Sequence, residues 1–233
     1  IRVMCTKNRT QMSCRSDAHV SMGEGMEERL LVISSHPGDE TFGAGGMLLR
    51  YKAQGASVYW LNVTDVRQEY GYSDEEVKAR QERLDKVRQL YDLDGFYNLG
   101  LHPAQLDTVP AATLVHHIAP IINELSLTTV LLPFKNDVHS DHRVVFEAAF
   151  SCTKVFRQHT VRKVLMMETI SETDFASPDA GFVPNYFVDI SDFLERKVAI
   201  ADMYVGEMKP HPYPRSEEHM RALAVCRGAA AGC

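Results

Sequence analysis

Apolar and polar positions alternate with two periods along this chain, and the two take turns. Leu30–Ser34 (LLVIS) is a short apolar run between polar residues, the pattern of a strand buried on both faces. Residues 41–54 then place Phe42, Met47, Leu48 and Tyr51 at helical spacing, and Gly55 stops the helix. Residues 58–63 (VYWLNV) predict a second strand. Residues 75–90 predict a long helix, with Asp74 as its cap and Val77, Leu84, Val87 and Leu90 on one face. Further strands are expected at 95–99, 129–133, 164–168 and 186–190. Further helices are expected at 113–125, blemished by Pro120, and at 140–155, 191–204 and 217–226, the last capped by Ser216. Strand–helix alternation of this kind predicts an α/β fold, a three-layer αβα arrangement around a mostly parallel sheet. Ligands of such sheets bind at the carboxyl ends of the strands.

Residues 1–28 show no steady period and read as a flexible lead-in to one domain over 29–233; Met26 is a natural start for that domain. A chain with 45% apolar and 24% charged residues is expected to fold as a soluble globular protein. No apolar run approaches the roughly 20 residues needed to cross a bilayer, so no integral membrane segment is expected. A net charge of −6 lacks the dense basic face of a nucleic-acid groove. Five cysteines without a CxxC or an export signal point to a reducing, cytoplasmic setting, with Cys152 and Cys226 as small buried residues.

Two clusters carry chemistry, each just after a predicted strand. The first is Ser35-His36-Pro37-Gly38-Asp39-Glu40 and the second His139-Ser140-Asp141-His142-Arg143. Two histidines and a carboxylate with an open position suit a divalent metal. His36 and Asp39 can converge from one tight turn stiffened by Pro37, and His142 can reach the same ion from the neighbouring strand end. Zinc is the expected ion; iron(II) accepts the same set.

With these motifs the chain resembles the PIG-L/LmbE-like zinc-dependent N-deacetylases. The first motif of that family reads (A/S)HPDDE and the second HxDH; here they stand as 35–40, followed by Gly43-Ala44-Gly45-Gly46, and as 139–142. The resemblance implies a Rossmann-like fold and removal of acetyl groups from amino-sugar derivatives. It casts His36, Asp39 and His142 as zinc ligands, His139 as the group that steadies the tetrahedral intermediate, Asp141 as its orienting acid, and Glu40 as a buttress of the loop. The nearest likeness is to bacterial members associated with surface-polysaccharide and lipopolysaccharide sugars, which implies a small N-acetylated sugar substrate, nucleotide- or lipid-linked. One departure matters. Gly38 occupies the position of the family's general-base aspartate, and a glycine takes no proton. Turnover is therefore expected to be weakened, by the roughly 10²–10⁴-fold that general-base catalysis contributes. A zinc- and sugar-binding protein without catalysis is the alternative.

Four other residues are candidates for the substrate pocket. Asp65 and Arg67 sit at the sheet's functional edge after the second strand, and His211 and Arg215 belong to a proline-stiffened loop in which Arg215 can meet an anion. Solvated loop positions are the competing reading for all four. The glycines at 43–46 invite a dinucleotide-binding reading, but Leu48 stands where a third glycine is needed, so close packing of the helix is the better account. Met166 and Met167 read as core filler of a strand.

Overall fold

The computed structural model describes residues 27–232. Five strands form one sheet: β1 (Arg29–Ser34), β2 (Ser57–Thr64), β3 (Gly95–Leu101), β4 (Thr129–Leu132) and β5 (Lys163–Met166). Their order is β3-β2-β1-β4-β5, and every neighbouring pair is parallel. Six α-helices accompany them: α1 (Asp39–Ala53), α2 (Asp74–Tyr91), α3 (Ala111–Glu124), α4 (Ser140–Ser151), α5 (Leu194–Ala201) and α6 (Glu217–Ala231). The expected mostly parallel sheet is thus wholly parallel, with helices on both faces.

The unbroken apolar run in β1 has a direct cause. Leu30 and Val32 face one core, with Leu48 of α1 and Leu84 and Val87 of α2. Leu31 and Ile33 face the other, with Leu114, Ile118 and Ile122 of α3 and Val145 of α4. A central strand covered on both sides has no polar face to offer. From β1 the chain steps to β2 on one side and, later, to β4 on the other. The strand order reverses between β1 and β4, which opens a crevice at their carboxyl ends.

Several local expectations change. Residues 186–190 pair with no strand. Their alternation instead lays an extended segment on α1: Ile190 sits against Gly46, Arg50 donates to the Asp189 carbonyl at 2.6 Å, and the Tyr51 and Tyr186 hydroxyls meet at 3.2 Å. A half-buried extended chain needs period-two patterning whether or not it joins a ladder. The cap of α2 is Ser73, not Asp74: its hydroxyl accepts from the Glu76 N–H while Glu76 returns a bond to the Ser73 N–H, a reciprocal capping box. Ser216 does cap α6, accepting from the His219 N–H at 3.1 Å. Met167 is buried, but Met166 lies exposed on the edge strand, and Cys226 is exposed whereas Cys152 is buried. The glycines of α1 admit neighbours closely, chiefly side chains of other elements rather than the sheet: a Cβ on Gly45 would stand 2.5 Å from the Tyr91 hydroxyl. Of the expected lead-in, residues 1–26 lie outside the described residues. Glu27 and Glu28 lead directly into the central strand β1, and the Glu28 carbonyl accepts from the Ser57 N–H.

Candidate metal centre

Both clusters arrive at the crevice between β1 and β4. After β1 the chain turns at Gly38, with φ of 113°, and enters α1. Asp39 and Glu40 fall in the helix's first turn, where negative charge is favoured. The turn is fastened by its own carboxylates. Asp39 Oδ2 accepts from the His36 N–H at 2.8 Å, and Glu40 Oε2 from the Gly38 N–H at 2.9 Å. Glu40 Oε1 takes the hydroxyls of Thr41 and Tyr204. Glu40 therefore holds the loop from within, fully buried; burial pushes its carboxyl up to about 7, against the pull of those three bonds.

His142 sits at the start of α4, also fully buried. Its Nδ1 meets Asp137 Oδ2 at 2.8 Å, and the other oxygen of Asp137 accepts from the Thr173 hydroxyl at 2.7 Å. This pair places the proton of a neutral His142 on Nδ1 and turns Nε2 toward Asp39. Nε2 lies 3.1 Å from Asp39 Oδ2 without the geometry of a hydrogen bond, a buried nitrogen with no hydrogen-bond partner. An imidazole fixed by an outer carboxylate and left with a free inward nitrogen is a typical metal ligand.

His36, Asp39 and His142 can each offer one donor atom, all within 4.8 Å of one another. His36, His139 and Asp141 meet the same distance test, but in that set the Asp141 carboxylate is already engaged. Asp141 accepts the backbone N–H groups of Ala104 and Leu106, at 2.7 and 3.1 Å, and lies 2.9 Å from His36 Nε2. His139 Nδ1 accepts the Asp141 N–H at 3.1 Å as the cap of α4. The first set, with its orphaned nitrogen, fits a divalent ion; the second fits a support around it.

Electrostatics follow from this crowding. Burial works against charge on both histidines, but carboxylates outweigh it: bonds from Asp141 and Asp39 lift His36 to about 9, and Asp39 and Asp137 lift His142 to about 10. Burial alone would raise Asp39, yet His142 and His36 hold it well below the usual carboxylate range. Such mutual charge stabilisation is what a bound cation would take over. His139, half-buried beside His36 with ring centroids 4.5 Å apart, is pushed the other way by burial and by the charge of His36.

The carboxylate of Asp141 thus touches His36, whereas the bond to His139 comes from the Asp141 backbone N–H. Of the four pocket candidates, Asp65 accepts from Asn98 at 2.6 Å and from the Val66 N–H, at the edge where β2 and β3 end. Arg67 is exposed and packs over Gly100, donating to the Leu99 carbonyl at 3.3 Å. His211 is exposed and lines a mainly apolar groove of about 430 Å³ with Phe175 and Tyr213. Arg215 is not a free cation, since Glu207, Glu172 and Ser171 all bond its guanidinium. Asp137, Glu172 and Thr173 join the centre with little warning in the sequence. Asp137 is an acid five residues before His142, and the other two stand beyond β5 with no motif around them.

Known proteins share this arrangement of the chain. A diacetylchitobiose deacetylase from Thermococcus kodakarensis is 25% identical over 217 residues, covering 88% of this chain and 79% of its own. A solved N,N'-diacetylchitobiose deacetylase from Pyrococcus horikoshii superposes with a TM-score of 0.68 at 20% identity, covering 88% of this chain and 80% of that one. The conserved protein TT1542 from Thermus thermophilus gives 0.67 at 23% identity, covering 87% and 88%. Residues 31–153, more than half of the chain and both histidine clusters with it, match the PIG-L family model, GlcNAc-PI de-N-acetylase. By that match the chain belongs to the PIG-L family of metal-dependent N-deacetylases.

Proposed function

We propose that this protein hydrolyses the acetamide of an N-acetylated amino sugar, releasing acetate and the free amine. The observation that carries the reading is the orphaned Nε2 of His142, aimed at Asp39 and fixed by Asp137 in the crevice where the strand order reverses. His36, Asp39 and His142 would hold a divalent ion, zinc by donor type. When bound, zinc polarises a carbonyl and lowers the pKa of water. The sugar amide is supported by the chitobiose deacetylases among the relatives. They give no such support to a surface-polysaccharide or lipid-linked carrier, which stays a narrower part of the proposal.

The chain's own groups suit the remaining tasks. Because His139 Nδ1 accepts a backbone N–H, neutral His139 carries its proton on Nε2. It can then donate to the oxygen that gains charge as the amide carbon becomes tetrahedral. Asp141, anchored by two backbone N–H groups, keeps His36 in place. Gly38 supplies no acid–base group. That observation favours a second reading, a metal- and sugar-binding protein without turnover, and predicts weakened catalysis if no other group takes the water's proton.

Free-amine formation from N-acetylglucosamine, diacetylchitobiose and a uridine-diphosphate-linked N-acetylglucosamine separates the readings. Hydrolysis of any of them is expected. Binding of the sugars without release of amine would favour the second reading.

A further inference from the structure

Hydrolysis of an amide by water needs an acceptor for the water's proton. Most groups around the centre are committed elsewhere. Asp137 serves His142 and Thr173, Asp141 serves two backbone N–H groups and His36, and Glu40 serves Gly38, Thr41 and Tyr204. His139 uses its acceptor nitrogen on the Asp141 N–H.

Glu172 is different. It lies in the loop beyond β5, and two bonds tie that loop to the centre. Its carbonyl accepts from the N–H of Val138, next to His139, at 3.3 Å, and the adjacent Thr173 hydroxyl bonds Asp137. The Glu172 side chain is 13% exposed. Ser171 Oγ and Arg215 Nη2 both donate to Oε1, each at 3.3 Å. Oε2 accepts from no group among the described residues. The Arg215 guanidinium lies 4.8 Å over the ring of Phe42. That ring is also the nearest neighbour of a Cβ placed on Gly38, at 3.2 Å. Arg215 thus links the Glu172 carboxylate to Phe42, the ring that borders the turn where Gly38 leaves no side chain. Burial raises the Glu172 carboxyl above the usual range, and its charge acts on both His142 and Asp39.

We propose that Glu172 is the general base of this hydrolysis, working through Oε2, with Arg215 and Phe42 as positioning residues. The proposal rests on the N-deacetylase reading. As the water oxygen bonds the amide carbon, the carboxylate takes one water proton and the carbonyl π pair moves to oxygen. When the tetrahedral species collapses, the C–N bond breaks, its electron pair stays on nitrogen, and that nitrogen takes the proton from Glu172. The oxyanion pair re-forms the carbonyl, acetic acid and the amine result, the acid passes its remaining proton to the amine or to solvent, and no oxidant or reductant is involved.

Glu172→Gln keeps the size of the side chain and an oxygen for Arg215 but removes the base. Measured on N-acetylated sugars, kcat is expected to fall about 100-fold or more. KM should stay within about threefold and zinc content should not change, which a mere loosening of the loop would not give. A kcat within a few-fold of the parent overturns the proposal. Should the glutamine variant fold poorly, Glu172→Asp is compared with Glu172→Ala: a kcat about tenfold higher for aspartate supports the base, and equal values overturn it. A silent parent with an active Gly38→Asp variant keeps the deacetylase reading and overturns Glu172. Silence from both sinks the reading and the base together.

Discussion

Replacing single ligands separates binding from catalysis. His142→Ala and His36→Ala are expected to lose stoichiometric metal. His139→Ala should keep it and lose about 10²–10³-fold in kcat, the usual cost of an oxyanion donor. Metal analysis of the purified variants decides this, and equal loss in all three would show the ligands misassigned. Asp137→Ala removes the partner that turns His142 inward. Metal affinity should fall about 10–100-fold, read by competition with a chromogenic chelator; unchanged affinity would leave Asp137 without its orienting role. Gly38 is fixed by geometry as well as chemistry. At φ of 113° and with Phe42 3.2 Å from a notional Cβ, Gly38→Ala should cost about 1–3 kcal/mol in denaturant titration. A neutral result would mean the turn relaxes.

Helix packing sets the next level. Gly45 lets α1 approach Tyr91 of α2, and beside it Lys197 of α5 is buried with its ammonium 3.1 Å from the Phe42 carbonyl. Burial lowers Lys197 to about 8, with only Glu168 pulling the other way. The sign follows from proton counts. Below pH 8 the folded state carries a poorly solvated charge at full cost. Between about 8 and 10.5 the unfolded chain still holds the proton that the folded state has shed, so this residue's contribution becomes more favourable as pH rises. Lys197→Met should therefore stabilise the protein at pH 7, by up to about 3 kcal/mol, with a gain that shrinks toward pH 10. Melting curves across that range test it; a gain independent of pH would mean that Lys197 is not the titrating group.

Across the whole molecule, the sequence made visible what short-range rules control. The double-faced run of β1, the helix periods of α1 and α2 and the histidine clusters after β1 and β4 all stand in contiguous residues. The extended segment 186–190 misled because its alternation answers to burial against α1, which a ladder would produce equally well. Asp137, Glu172 and Thr173 were hidden for another reason: their importance arises from contacts between loops brought together only by the sheet order. The same applies to Arg215, whose charge reads as free along the chain and is matched by two glutamates in space.

The proposed hydrolysis of a sugar acetamide requires a metal held in this crevice. Acetate release from N-acetylglucosamine and diacetylchitobiose by the zinc-loaded protein, by the same protein stripped with chelator, and after zinc is returned tests it most directly. Loss on stripping and recovery with zinc are predicted. Release that survives stripping, or none from protein carrying a full equivalent of zinc, would contradict the account.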